Sequence, residues 1–456
     1  MSIGAPTAAA LGRALFISLA ALAVSAPLST WLGSQRGRTR TLAWVLLLAP
    51  FFTPALLISY AFSKFALALV ISPWSHDALY VGVLALKLIP VAVVIRLLVP
   101  PPLSAEARHV HRMLAEASWK QRARFAIRAA GAGPSIAGGI AFLLAFSDFE
   151  LASLWSIRTW TVALFDAQTG GVALVETLRL AALPLAVEMM VLVPILLFAT
   201  RISRTHAEGH APRPGWETTP GRSRAACIPW LYLTCAAAAV CFLPLAIVVT
   251  QAVAGFRALA GHFVLGNELG ASALFAIGAA IFAATLARLG RRRTTLMVCL
   301  GAPGLLGALV VSLFILTLFQ VPALRLAYDT PLPLLLALAI LLLPLALLLD
   351  ALRSSPTRAL HIAHQLGSRR LLWEMETRPQ AAALGLLACW AWFDFTTSSI
   401  LAPVGLTPVF ARLHNLAHYG QTAVLSAMLL AAFAAPVLAL SLIGVTWRGV
   451  TSRKWS

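Results

Sequence analysis

Lysine is nearly missing from this chain: of 456 residues only Lys64, Lys87, Lys120 and Lys454 are lysine, and none follows a glycine. A Walker A loop needs Gly-Lys-[Ser/Thr] to cradle phosphate, so the chain has no such ATPase module. If transport is ATP-driven, the ATP is hydrolysed on another chain. Acid is scarce as well, with 16 Asp and Glu against 35 Lys and Arg and only 11% charged residues, where a soluble domain has about 25%. Five cysteines, Cys227, Cys235, Cys241, Cys299 and Cys389, all lie in apolar runs without C-x2-C spacing. They read as small core hydrophobes, not as disulfide partners or metal ligands.

What is present is apolar. Hydrophobic residues make up 60% of the sequence and the mean hydropathy is +0.86, which predicts an all-α, polytopic membrane protein. The formal charge of +19 could suggest nucleic acid, but basic cytoplasmic loops give the same total, and no nucleic-acid partner is expected. About twenty apolar residues span a bilayer. That test gives eleven windows: Ala14–Leu32, Leu42–Phe62, Ala78–Val99, Ser135–Trp155, Val172–Ala199, Ile228–Val249, Leu269–Leu289, Leu296–Phe319, Leu332–Asp350, Ala381–Ala402 and Thr422–Thr446. Pro50 and Pro54 are expected to kink the second. The first has Val-Ser-Ala before Pro27 but no basic stretch beyond Arg13, so it reads as a helix, not as a cleaved leader.

Sidedness follows from Lys and Arg. With the N-terminus outside and the C-terminus in the cytoplasm, 26 of the 35 basic residues fall in cytoplasmic segments, as the positive-inside rule requires. The chain also repeats itself. At a constant offset of about 246 residues, Gly139 superposes on Gly385, Asp148 on Asp394, Phe149 on Phe395, Ser153 on Ser399 and Thr161 on Thr407. A shared A-[F/W]-x-D-F-x3-S core uses residues that are costly in lipid, so it marks an internal duplication. Six windows separate the copies, so both run in the same direction and the repeat is parallel. The expected organisation is a first repeat of five spans (1–200), a cytoplasmic linker rich in Arg, Pro and Gly (201–226), and a second repeat of six spans (227–456), the Ile228 window having no partner.

Charged groups inside a bilayer are by default functional or paired. Lys87, Asp148, Glu188 and Asp394 are therefore candidates for a translocation pathway, with Glu150 beside them. Asp148 and Asp394 either line such a path or serve structure, Asp148 by pairing with Lys87 or by capping backbone. Phe149, Phe395, Trp390 and Trp392 read as packing. His414 and His418 stand four apart beside Tyr419, and His109 near His111, but two ligands without a carboxylate do not close a site, so no metal is expected. Glu176 and Arg179 are expected to pair one turn apart. No catalytic constellation and no cofactor site is found.

Each copy carries a basic loop of about thirty residues before its aspartate. The second reads His361-Ile362-Ala363-His364-Gln365-Leu366-Gly367, followed about a dozen residues later by Arg378-Pro379. Here the chain resembles the permease subunits of bacterial ABC importers, whose loop has Glu-Ala-Ala, three residues, Gly, and then Leu-Pro. Ala363, Gly367 and Pro379 match. His361-Ile362 replaces Glu-Ala, Arg378 replaces Leu, and in the first copy Ala115 stands where the Gly falls. The resemblance implies a type I importer permease in a bacterial inner membrane. Its loops would dock on a cytoplasmic ATP-binding cassette dimer, with Gly367 giving the turn between two short helices, while an external solute-binding protein delivers cargo. Fused two-copy permeases look most like those of ferric-iron importers, and Leu401–Leu429 is the most similar segment. Two rivals stay open: a proton-coupled secondary transporter using Asp148, Glu188 or Asp394, and a membrane-embedded enzyme, for which no clustered residues are present.

Overall fold

A computed structural model describes residues 3–69, 72–99, 120–121, 125, 131–207, 227–259, 265–290, 293–352, 365, 367, 373–418 and 422–453. Among them every regular element is helical. The helices form two compact units, Met1–Thr53 with Phe62–Leu243, and Pro54–Ala61 with Pro244–Ser456. The chain passes between them three times: between Thr53 and Pro54, inside helix α3 (Ala55–Leu69) at Ala61–Phe62, and between Leu243 and Pro244, within the sixth apolar window.

The first unit is built on α1 (Gly4–Ser34), α4 (Pro73–Leu98) and α5 (Gly133–Phe146), each packed on the other two. Their contact faces carry small residues at helical spacing, among them Ala10, Ala14, Ser18, Ala21 and Ser25 of α1. The helices can therefore approach closely, which is how packing is achieved where lipid supplies no hydrophobic drive. Gly138 and Gly139 bring α5 against a neighbour on either side. A Cβ at Gly138 would lie 2.8 Å from Leu22 of α1, and one at Gly139 would lie 2.6 Å from Ile195 of α9 (Ala182–Ala207). The Ser18 hydroxyl donates to the Gly138 carbonyl across the first of these contacts at 2.8 Å. Around this core lie α2 (Gly37–Phe52), α6 (Glu150–Leu154), α7 (Trp160–Thr169), α8 (Leu174–Leu180) and α10 (Cys227–Ala237). Trp230 of α10 meets Trp31 of α1 edge to face at 5.2 Å.

The second unit follows the same plan. After α11 (Leu243–Leu259), helices α12 (Leu265–Leu289), α15 (Leu332–Leu352) and α16 (Arg378–Trp392) pack on one another as α1, α4 and α5 do. Between them lie α13 (Thr294–Gly301) and α14 (Ala308–Phe319), and α17 (Thr396–Leu401), α18 (Val409–His418) and α19 (Thr422–Arg453) follow. The pairing of α1 with α7 recurs as α12 with α18, and that of α4 with α6 as α15 with α17. The duplication read from a short motif thus extends to the internal packing of each unit.

Among the described residues six helices are long and apolar enough to cross a membrane, the pattern of a multi-pass membrane protein: Gly4–Ser34, Trp74–Leu98, Gly133–Leu154, Cys227–Arg257, Leu265–Leu289 and Leu332–Asp350. Three further expected spans are bent pairs, at 76° near Pro54, at 51° between α8 and α9, and at 113° between the turn Ala302–Leu305 and α14. Of the remaining two expected spans, one is shorter than its window, since helix α16 stops at Trp392 after 15 residues, and the other lies in α19, which runs 32 residues from Thr422 to Arg453. The cysteines also depart from expectation: Cys227, Cys235 and Cys299 are exposed, and Cys241 and Cys389 are only partly covered. Their helices are apolar all round, so composition does not separate a packed face from a lipid-facing one.

The 113° bend turns on Gly307, whose φ of 87° is left-handed and closed to most side chains. Just before it, Gly304 lies so close to α15 that a Cβ would strike the Ile340 carbonyl oxygen and the Pro344 ring. Backbone and ring cannot move aside as a side-chain tip can. Gly304→Ala is expected to destabilise the second unit by about 2–3 kcal/mol, the upper range of overpacking, seen as a lower melting temperature in detergent.

Candidate functional site

Asp148 and Asp394 do not sit inside continuous helices, as the sequence suggested. Each lies in a break, Asp148 between α5 and α6 and Asp394 between α16 and α17. The new helix begins with unsatisfied N–H groups that a preceding Asp can accept. Asp148 Oδ2 accepts from the Ala152 N–H at 3.1 Å. Asp394 Oδ2 accepts from the N–H groups of Thr397 and Ser398 at 3.1 and 3.2 Å, and its Oδ1 from the Thr397 hydroxyl at 3.1 Å. Both carboxylates therefore cap the start of a helix. Both side chains remain only half-buried.

The surroundings of the two breaks match as well. Ser153 N–H donates to the Phe149 carbonyl and Ser399 N–H to the Phe395 carbonyl, each at 2.8 Å. Phe149 packs on Phe165 of α7 with ring centres 4.9 Å apart, and Phe395 on His414 of α18 at 4.6 Å. His414 is thus the counterpart of Phe165, a buried ring packed on the phenylalanine of its copy. Among the described residues no group of three potential metal ligands exists. A left-handed residue, Ser156 at φ 54° and Gly405 at φ 86°, precedes α7 and α18 by four positions in each copy.

The copies differ in what else reaches the carboxylate. In the first, the Tyr80 hydroxyl of α4 donates to Asp148 Oδ2 at 3.0 Å and Thr161 Oγ1 to the Asp148 carbonyl at 2.8 Å. In the second, Thr397 supplies the hydroxyl. Lys87 is not hydrogen-bonded to Asp148: its Nζ donates to the Thr53 carbonyl at 2.6 Å, where α2 ends at the 76° bend. A cation there suits the negative end of the helix. Glu150, and after it Asp148, are the acids that act on the Lys87 charge. Lys87, Asp148, Glu150 and Tyr80 therefore form one cluster in the first unit. Asp394 belongs to the second unit. Glu188 lies in α9 without exposed surface, and neither of its oxygens has a hydrogen-bond partner.

Sequence reasoning missed Tyr80, one aromatic among many, and Thr397, which Asp-x-x-Thr after an apolar helix could have announced. It also missed the ion pairs. Arg13 of α1 meets Asp77 at the start of α4 at 2.8 Å and donates to the Arg158 carbonyl at 3.1 Å. Arg412 of α18 pairs with Glu268 at the start of α12 at 3.5 Å. At the other end of α12, Arg288 donates to Gln380 of α16 at 3.0 Å. Glu176 and Arg179, expected to pair, are both exposed and form no ion pair.

Of the loop residues, Gly367 is an exposed turn with φ 62°, the left-handed conformation a glycine turn uses. Pro379 lies in the first turn of α16, where a missing N–H costs nothing. Pro134 opens α5 in the same way, so the first copy does have a counterpart to Pro379. Ala115 and Ala363, with His109, His111 and His361, lie outside the described residues. In comparison with known proteins, no family model, no curated protein and no solved structure matches the chain.

Proposed function

We propose that the chain is the membrane-spanning permease subunit of an ATP-driven importer of the ABC type, with both repeats of the translocation machinery fused in one polypeptide. In this reading the full count is about eleven spans in two parallel repeats of type I architecture, in a bacterial inner membrane with the N-terminus outside. The cytoplasmic loops dock on an ATPase dimer, and a solute-binding protein delivers cargo to the outer face. Ferric iron is the cargo suggested by the similarity of Leu401–Leu429. The observation that carries the reading is the twice-built element: a basic loop, a helix opened by Pro134 or Pro379, and a break capped by Asp148 or Asp394. Coupling machinery on two like halves is what a two-motor importer requires. The left-handed turn at Gly367 adds to it.

The chain itself carries no reacting group in this mechanism. Binding and hydrolysis of ATP below would move the loops, and the helices α5 and α16 that follow them would change which side of the membrane a solute can reach. A proton-coupled transporter is the second reading. Two of its three titrating candidates, Asp148 and Asp394, are occupied in capping, which leaves Glu188. Vesicles separate the two. The purified chain alone should give no uptake under a pH gradient, and uptake should appear when an ATP-binding cassette ATPase that co-purifies with it, internal ATP and an external solute-binding protein are supplied. Uptake driven by the pH gradient alone would overturn the importer reading.

A further inference from the structure

Glu188 stands apart from every other acid described above. It has no exposed surface, and both carboxylate oxygens are without a hydrogen-bond partner. It lies on a buried stripe of α9 with Pro184, Leu192 and Ile195, while Leu183, Met189, Met190 and Val193 on the other faces are exposed. The stripe faces α5. Ile195, two turns along from Glu188, fills the notch left by Gly139, so the two helices are in close contact.

The described helices packed most closely on α9 place no charge beside Glu188. Helix α5, sequence GPSIAGGIAFLLAF, has no titratable residue. Helix α8, which also packs on α9, has Glu176 and Arg179, both exposed and beyond the 51° bend. Within α9 the nearest charged residues in sequence are Arg201 and Arg204, about 20 Å along the axis at 1.5 Å per residue. A carboxylate ion without partner or water costs far more than a neutral acid. A metal ion would need about six oxygens, and no group of three potential ligands is found among the described residues. A partner protein cannot reach a side chain with no exposed surface. The proton is the one ligand left.

We infer that Glu188 is a proton-binding site, a carboxylic acid held uncharged while α9 lies on α5, and able to ionise only when the two separate or water enters between them. The site is single. The residue one repeat offset later is Ala434, and α19 contains no acid. Bound proton and closed α5–α9 contact are therefore linked: releasing the one favours opening the other. This holds whether an ATPase or an ion gradient drives the chain, so it does not rest on the importer reading.

Infrared spectroscopy of the chain in vesicles tests it. Wild type minus Glu188→Gln should show loss of one protonated-carboxyl C=O band. Its area should stay constant within about twofold between pH 6 and 8, over which the protonated fraction of a solvated glutamate falls about a hundredfold. Glu188→Leu, which fills the site with an apolar group, should remove the same band and insert normally, guarding against misfolding of the first variant. Loss of a carboxylate band instead, or a band that fades a hundredfold over that range, would overturn the inference.

Discussion

Replacing Asp394 by leucine is expected to destabilise the second unit by about 2–4 kcal/mol, because each half-buried donor left without an acceptor costs about 1–3 kcal/mol. Three donors depend on this side chain, the N–H groups of Thr397 and Ser398 and the Thr397 hydroxyl. Thr397 and Ser398 are themselves buried, so water replaces the lost acceptor poorly. Asp394→Asn keeps one carbonyl oxygen for the helix start and should lose about 1 kcal/mol, near the cost of weakening a cap. Thermal unfolding in detergent should therefore rank wild type above Asn and Asn above Leu. If Leu melts with wild type while transport is lost, the carboxylate serves the solute and the cap contributes nothing. The first copy should respond less to the loss of its hydroxyl partner. In Tyr80→Phe, Asp148 still caps α6 through Ala152, and only one donor of the pair is removed.

Capping was open for Asp148 from the sequence, but the break that each aspartate caps was hidden by the strength of the hydrophobic signal. Apolar windows of about twenty residues locate the helices, because the bilayer fixes their length. They do not report where the backbone breaks inside a window. The break at Ser147–Phe149 has no proline or glycine to mark it, and only the aspartate, a poor interior and good N-cap residue, betrays it. The bend near Pro54 was foreseeable from proline, and the one at Gly307 much less so, since that glycine is one of 29. Sequence brought out Lys87, Asp148, Glu188 and Asp394 because charge is rare in lipid. It could not sort them, because a carboxylate that caps a helix and one that meets only apolar neighbours look the same in a string of letters. His414 illustrates the converse: spacing invited a metal, and the ring beside Phe395 shows packing. The repeat was the most informative signal: the offset of 246 that links Asp148 to Asp394 also links the capped residues Ala152 and Ser398, while beyond the break the counterparts Ser156 and Gly405, and Phe165 and His414, stand 249 apart.

The largest effect on partner binding is expected at Gly367. Its φ of 62° lies in the left-handed region, and a Cβ there would meet nothing within 4 Å. Substitution is therefore a test of backbone alone. Proline fixes φ near −65° and cannot take this conformation, so Gly367→Pro must rebuild the turn, while asparagine tolerates left-handed φ. If an ATPase docks on this loop, the strain of about 1–3 kcal/mol placed on the docked conformation becomes an affinity loss of up to about a hundredfold, at 1.4 kcal/mol per tenfold. Recovery of the ATPase with tagged Gly367→Pro should fall accordingly, and Gly367→Asn should retain it within about threefold, the loss that under 1 kcal/mol gives. Membrane insertion should be unchanged in both, since the residue is exposed and has open space where a side chain would be. Equal ATPase recovery with Gly367→Pro would mean that the motor, if there is one, grips the chain elsewhere. Loss with both variants alike would mean that the glycine matters for its missing side chain and not for its turn.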